Sequence, residues 1–112
     1  MNIADFSDFQ KIDIRVGTII SADNFENARK PAYILTIDFG ELGIKKSSAQ
    51  ITLRYNTEEL IGKQILAVVN FNPKQIANIM SECLVLGVYA NSNEDVVLIE
   101  PNLEVPNGSK LG

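Results

Sequence analysis

Histidine is absent from the 112-residue chain, and cysteine occurs once. One cysteine cannot form an internal disulfide. Without histidine, neither a Cys/His zinc site nor a Ser-His-Asp or Cys-His catalytic set can be assembled. No glycine-rich loop of the phosphate-cradling kind is present. No apolar run approaches the ~20 residues of a spanning helix, so membrane insertion is not expected. The opening Met1-Asn2-Ile3-Ala4-Asp5 has neither a basic nor an apolar block, so no secretory signal is read and the cytosol is the expected location. Basic charge is scarce as well: 10 Lys+Arg face 14 Asp+Glu, a net charge of -4. That argues against coating duplex nucleic acid over the whole surface. A Debye length of about 8 Å still allows a local basic patch. Cys83 lies in the apolar run Cys83-Leu84-Val85-Leu86 and reads as a buried free thiol. No metal or cofactor is implied.

Hydrophobic residues make up 46% and charged residues 21%, ordinary values for a folded chain. The length supports one core, hence one domain over residues 1–112. Ser7 is a candidate cap for a short starting helix with Phe6 and Phe9 on its apolar side. From Ile12 to Ser21 apolar and polar residues alternate, the period of a strand with one buried face, and Gly17 in its middle suggests a bend. Tyr33 to Phe39 alternates in the same way, and Ile44 to Thr52 makes a third strand. Asn56 and Glu59 have capping-box spacing before Gly62, marking a helical turn or two. Gln64 to Phe71 is apolar enough to be a central strand. The stretch from Pro73 to Met80 reads as irregular or shortly helical, and Cys83–Tyr89 and Val96–Ile99 as two further strands.

Three strands, a short helix and two strands is the order of an OB-fold, an all-β five-stranded Greek-key barrel. A helical extension (about 1–11) and a C-terminal extension (about 90–112) fall outside it. These extensions carry Phe6, Phe9, Val97 and Leu98, which need cover, and a homodimer is the economical way to supply it.

Several runs are distinctive in their joint order: Asp13-Ile14-Arg15-Val16-Gly17, Ile37-Asp38-Phe39-Gly40, Glu58-Glu59-Leu60-Ile61-Gly62-Lys63, Val69-Asn70-Phe71-Asn72-Pro73 and Met80-Ser81-Glu82. With them the chain resembles the tRNA-binding domain family, from about residue 6 to its end. The resemblance implies an OB-fold homodimer with no catalysis of its own. It implies binding of tRNA or other structured RNA, or of unfolded precursor polypeptides (preproteins), the latter in partnership with the secretion ATPase SecA. One departure stands out. After the Asn-aromatic-x-Pro turn, relatives carry a cluster of Lys and Arg, whereas only Lys74 is basic between Asn72 and Ser81 here. Fewer phosphate contacts would lower both affinity and salt dependence. Ile76, Ile79 and Met80 stand in that segment and suit apolar contact instead.

The candidate ligand-binding residues are Arg15, Tyr33, Lys45, Lys46, Arg54, Lys63, Lys74 and Ser81. Lys45 and Lys46 are successive on a strand, so they point to opposite faces. Arg15 could line a groove or pair with Asp13 or Asp38 at little gain in stability. Stacking aromatics are the other half of an OB-fold site. Tyr33, beside Pro31, is expected at a loop edge, Tyr55 at a strand end, and Phe39 and Phe71 in the core by phase. Ser81 is either a hydrogen-bond donor to ligand or a turn residue.

Overall fold

A computed structural model describes residues 1–112. The alternation after Ile12 becomes β1 (Ile14–Asn24), a strand long enough to serve two partners. Its first part pairs antiparallel with β4 (Gln64–Val68) and its second with β2 (Tyr33–Asp38). Thr18 is the pivot, facing both Gln64 and Asp38. A bulge between Ile19 and Ser21 supplies the curl. Gly17 has a different task from the bend expected of it. A Cβ there would lie 2.6 Å from Ile37 Cγ2 and 2.7 Å from Phe39 Cε1, so the missing side chain is the room that the core aromatic occupies.

β3 (Ile44–Ala49) pairs with β2, and β7 (Leu84–Val85) pairs with β4, giving the antiparallel order β3-β2-β1-β4-β7. This is the OB-fold, with α2 (Thr57–Leu60) between its third and fourth strands. Ile19, Leu35, Ile37, Phe39, Leu60 and Ile65 are fully buried inside it. Each such side chain contributes about 1.5–3 kcal/mol of transfer free energy. The capping box forms as its spacing predicts: Glu59 N–H donates to Asn56 Oδ1, and Asn56 N–H to Glu59 Oε1, both at 2.8 Å. It aims Leu60 into the barrel, and Gly62, at φ 90°, turns the chain back into β4. Four successive residues of β4 are buried, as a central strand requires.

Closure between β3 and the segment entering β7 is made by single links rather than by a ladder. Glu82 N–H donates to Lys46 C=O at 2.8 Å, and Lys46 N–H donates to Glu82 Oε1 at 3.0 Å. Ser48 N–H donates to Ser81 Oγ at 3.1 Å, and Ser47 Oγ–H to Cys83 C=O at 3.0 Å.

Three elements differ from expectation. The stretch after Pro73 is a β-hairpin, β5 (Lys74–Ile76) with β6 (Ile79–Ser81), closed by Ala77-Asn78. Ala77 takes φ 49°, the left-handed turn conformation usually left to glycine or asparagine, and this residue choice hid the turn. The run Cys83–Tyr89 breaks at Leu86, whose amide bonds to Leu66 and whose carbonyl accepts from Ile99. Beyond it, β8 (Gly87–Tyr89) leaves the barrel as a hairpin with β9 (Val96–Leu98). The starting helix, α1 (Phe6–Gln10), is capped by Asp5 instead of Ser7, with Asp8 Oδ2 accepting from Asp5 N–H at 3.0 Å.

The C-terminal tail covers the remaining edge of β1. Val16 N–H donates to Ser109 C=O at 2.9 Å, Gly108 N–H to Val16 C=O at 2.7 Å, and Leu111 N–H to Ile14 C=O at 2.9 Å. Gln64 holds Val105 on both sides of its backbone, at 2.7 and 3.1 Å. Leu98 packs against the barrel core, and Val97 is half-buried. Phe6 and Phe9 contrast with them: no residue of α1 is buried, and their rings lie 6.0 Å apart in the open.

Candidate ligand-binding groove

The loop from Phe25 to Ala32 and the β5–β6 hairpin rise on either side of the outer face of β3. Phe25 and Ala32 are buried and bonded to each other, Phe25 N–H to Ala32 C=O at 3.0 Å, which anchors the loop and leaves its tip exposed. Between the two walls runs a trough of about 580 Å³, lined by Arg29, Lys30, Ser48, Gln50, Lys74 and Ala77 among others. Its floor continues into a recess of about 300 Å³ that adds Phe71, Asn72, Ser81, Glu82 and Leu84. The face of strands two and three, with the loops after strands one and four, is where OB-folds take extended polymers.

Three cations, Arg29, Lys30 and Lys74, line this surface, with one carboxylate, Glu82, tied to the Lys46 amide. Phe71 is 47% exposed there, contrary to its expected place in the core. β4 ends at Val68, so the strand phase that put Phe71 inward no longer applies three residues later. The groove can hold a chain by apolar contact and ion pairing.

Of the residues singled out from sequence, Lys74 and Ser81 line the groove. Ser81 also closes the barrel by accepting from Ser48. Lys46 is exposed and shares the outward phase of Ser48, while Lys45 lies on the inward phase with Ser47 and Ala49. Four others lie elsewhere. Arg15 is held by Asp13, Nε to Oδ1 at 2.6 Å, and by Gly108 C=O at 3.0 Å. Arg54 forms a two-pronged pair with Asp95, which also accepts from Asn91 at 2.7 Å. Lys63 lines a separate crevice with Glu100 and Glu104. Tyr33, placed at a loop edge by sequence, is buried, and its hydroxyl donates to Tyr55 C=O at 2.6 Å. The Tyr55 hydroxyl in turn accepts from Leu98 N–H at 3.0 Å, so both tyrosines brace the β9 side of the core. Arg29, Lys30 and Phe71 went unselected. The exposed Arg29-Lys30-Pro31 tip of the first loop was the available signal for the two cations.

The hydrogen bonds from Arg54 and Asn91 hold the Asp95 carboxyl down to about 2, and Asp95 raises the guanidinium of Arg54. Burial pushes the Cys83 thiol up to about 11, which leaves it protonated and inert.

Residues 14–110 match the family model of the putative tRNA binding domain. The chain belongs to the tRNA-binding domain family. A methionine–tRNA ligase of Pyrococcus horikoshii is 35% identical over 111 residues, 99% of this chain and 15% of that enzyme. The chain thus spans about a seventh of the length of the ligases it matches. The crystal structure of the chaperone CsaA from Bacillus anthracis str. Ames is similar over 99% of this chain and 100% of that one, with 57% identity and a TM-score of 0.94. The CsaA chaperone protein of Picrophilus torridus covers 98% and 100% at 52% identity and a TM-score of 0.89. Both likenesses run over nearly the whole of this chain.

Proposed function

We propose that this protein is a non-enzymatic chaperone of the CsaA kind. It binds unfolded or export-bound precursor polypeptides in the cytosol, works as a homodimer and delivers clients to SecA. One observation carries the reading. Phe71 lies open in the groove beside Lys74 and Glu82, with Ile76 and Leu84 next to it. Apolar side chains and charges of both signs suit the mixed side chains of an unfolded segment better than a uniform row of phosphates. Full-length likeness to two CsaA chaperones supports it. The exposed Phe6 and Phe9 support the dimer, since a five-residue helix without a buried face gains nothing from packing in the protomer. The test is light scattering from a denatured client during refolding. Suppression near one protein per client, weakened by Phe71→Ser, is the expected result. No suppression at tenfold excess would refute the reading.

A second reading rests on Arg29, Lys30 and Lys74. Together they form a three-cation rim that takes structured RNA such as tRNA. About three phosphate contacts give a slope of log K against log salt near -2 to -3. Fluorescence anisotropy with tRNA reads that slope, and Lys74→Glu lowers it by about one.

A further inference from the structure

Beyond the groove, the end of β3 and the β7–β8 segment diverge and leave a cleft of about 390 Å³. Ser48, Gln50 and Ile51 form one wall, and Val85, Gly87 and Tyr89 the other. No charged side chain lines it. The backbone pattern of the second wall is decisive. In an antiparallel ladder, alternate residues turn both N–H and C=O to the same neighbour, and the residues between them turn both away. Leu86 is bonded to Leu66 and Ile99, and Ala90 N–H to Asp95 C=O, so Leu84, Leu86 and Val88 face β4 and β9. Val85, Gly87 and Tyr89 therefore present their N–H and C=O groups to the cleft. No strand of the chain pairs with that edge. Leu84, Val88 and Tyr89 are 48%, 53% and 71% exposed along it.

We propose that this edge receives an extended, uncharged segment of the client polypeptide as an added β-strand. The inference rests on the chaperone reading and names the mode and chemistry of its ligand. Val85 to Tyr89 spans about 13 Å at 3.3 Å per residue, so the added strand pairs over about five residues. Backbone pairing supplies affinity without regard to sequence, which a holder of many clients needs, and Leu84 and Tyr89 grip apolar side chains. A phosphate backbone finds no cation in this cleft, so RNA is not its occupant.

The test uses the full chain and a ten-residue peptide of alternating valine and threonine, with blocked termini. Amide hydrogen exchange by NMR should show Val85, Gly87 and Tyr89 becoming protected as the peptide is added. The same peptide N-methylated at its four central residues should bind about tenfold more weakly or worse, because its side chains remain while its donors are gone. Tyr89→Ala, a change at an exposed side chain, should weaken binding severalfold. Equal binding of both peptides, or protection confined to Phe71 and Lys74, would overturn the proposal while client holding persists. Protection that is already present in the free protein and grows with its concentration would also overturn it, by assigning the edge to a second copy. Protection by tRNA but not by peptide would do the same. Loss of all client holding in the unaltered protein would instead bring down the chaperone reading beneath it.

Discussion

Glu82 and Lys46 bond to each other twice, the Glu82 amide giving to the Lys46 carbonyl at 2.8 Å and the Glu82 carboxylate receiving the Lys46 amide at 3.0 Å. A side chain stands where a second strand would ordinarily provide the carbonyl. Glu82→Ala leaves the Lys46 amide without its partner, and loss of such a bond costs about 1 kcal/mol or somewhat more. Urea unfolding should show a lower midpoint with an unchanged slope. Glu82→Gln keeps an acceptor oxygen and should lose less.

Asp95 is a source of acid sensitivity. Its folded value, about 2, lies below that of an unfolded aspartate, near 4. The bonds from Arg54 and Asn91 therefore stabilise the fold fully above about pH 4, and that contribution is lost as pH falls from there through about 2. Thermal midpoints at pH 6 and pH 2.5 should differ less in Asp95→Asn than in the unaltered chain. An identical difference in both would sink this assignment.

Ala77 holds a positive φ at the tip of the β5–β6 hairpin. An L-residue in that region costs about 1–2 kcal/mol, and glycine loses about 0.5–1 kcal/mol in chain entropy. Ala77→Gly should raise stability by about 0.5 kcal/mol, and Ala77→Val should lower it by more than that. Chemical denaturation of the two variants side by side measures the sign.

Gly17→Ala places a methyl against Phe39 and Ile37 in a closed core. Overpacking of this kind costs about 1–3 kcal/mol. Phe39→Leu in the same chain should return part of the loss, because it vacates the space the new Cβ needs. Strict additivity of the two changes would refute the packing explanation.

Cys83 should resist a thiol-specific reagent at pH 8, since burial keeps it protonated. Reaction should begin only as denaturant unfolds the chain. Fast labelling of the native protein would contradict its placement.

The barrel was legible in the sequence because its strands obey a two-residue period and its helix announces itself by Asn56 and Glu59. What escaped were features governed by contacts across the fold. Tyr33 looks like a loop-edge residue beside Pro31, yet the first loop folds back through Phe25 and Ala32 and draws it inside. Phe71 keeps the strand phase on paper, but the strand has already ended. Arg15 takes the pairing with Asp13 that the sequence offered, whereas the partner of Arg54, Asp95, lies 41 positions away, beyond any local pattern. Lys74 was readable because an exposed lysine next to a proline turn has few ways to be buried.

The tail that straps β1 has a consequence for how the chain is made. On the ribosome, β1 emerges well before the residues that satisfy its outer edge, Gly108 to Leu111. Vectorial synthesis therefore leaves Ile14 and Val16 waiting until the chain between them and Gly108 has been made. A premature stop near position 105 would expose at the front of the molecule what it deleted at the back.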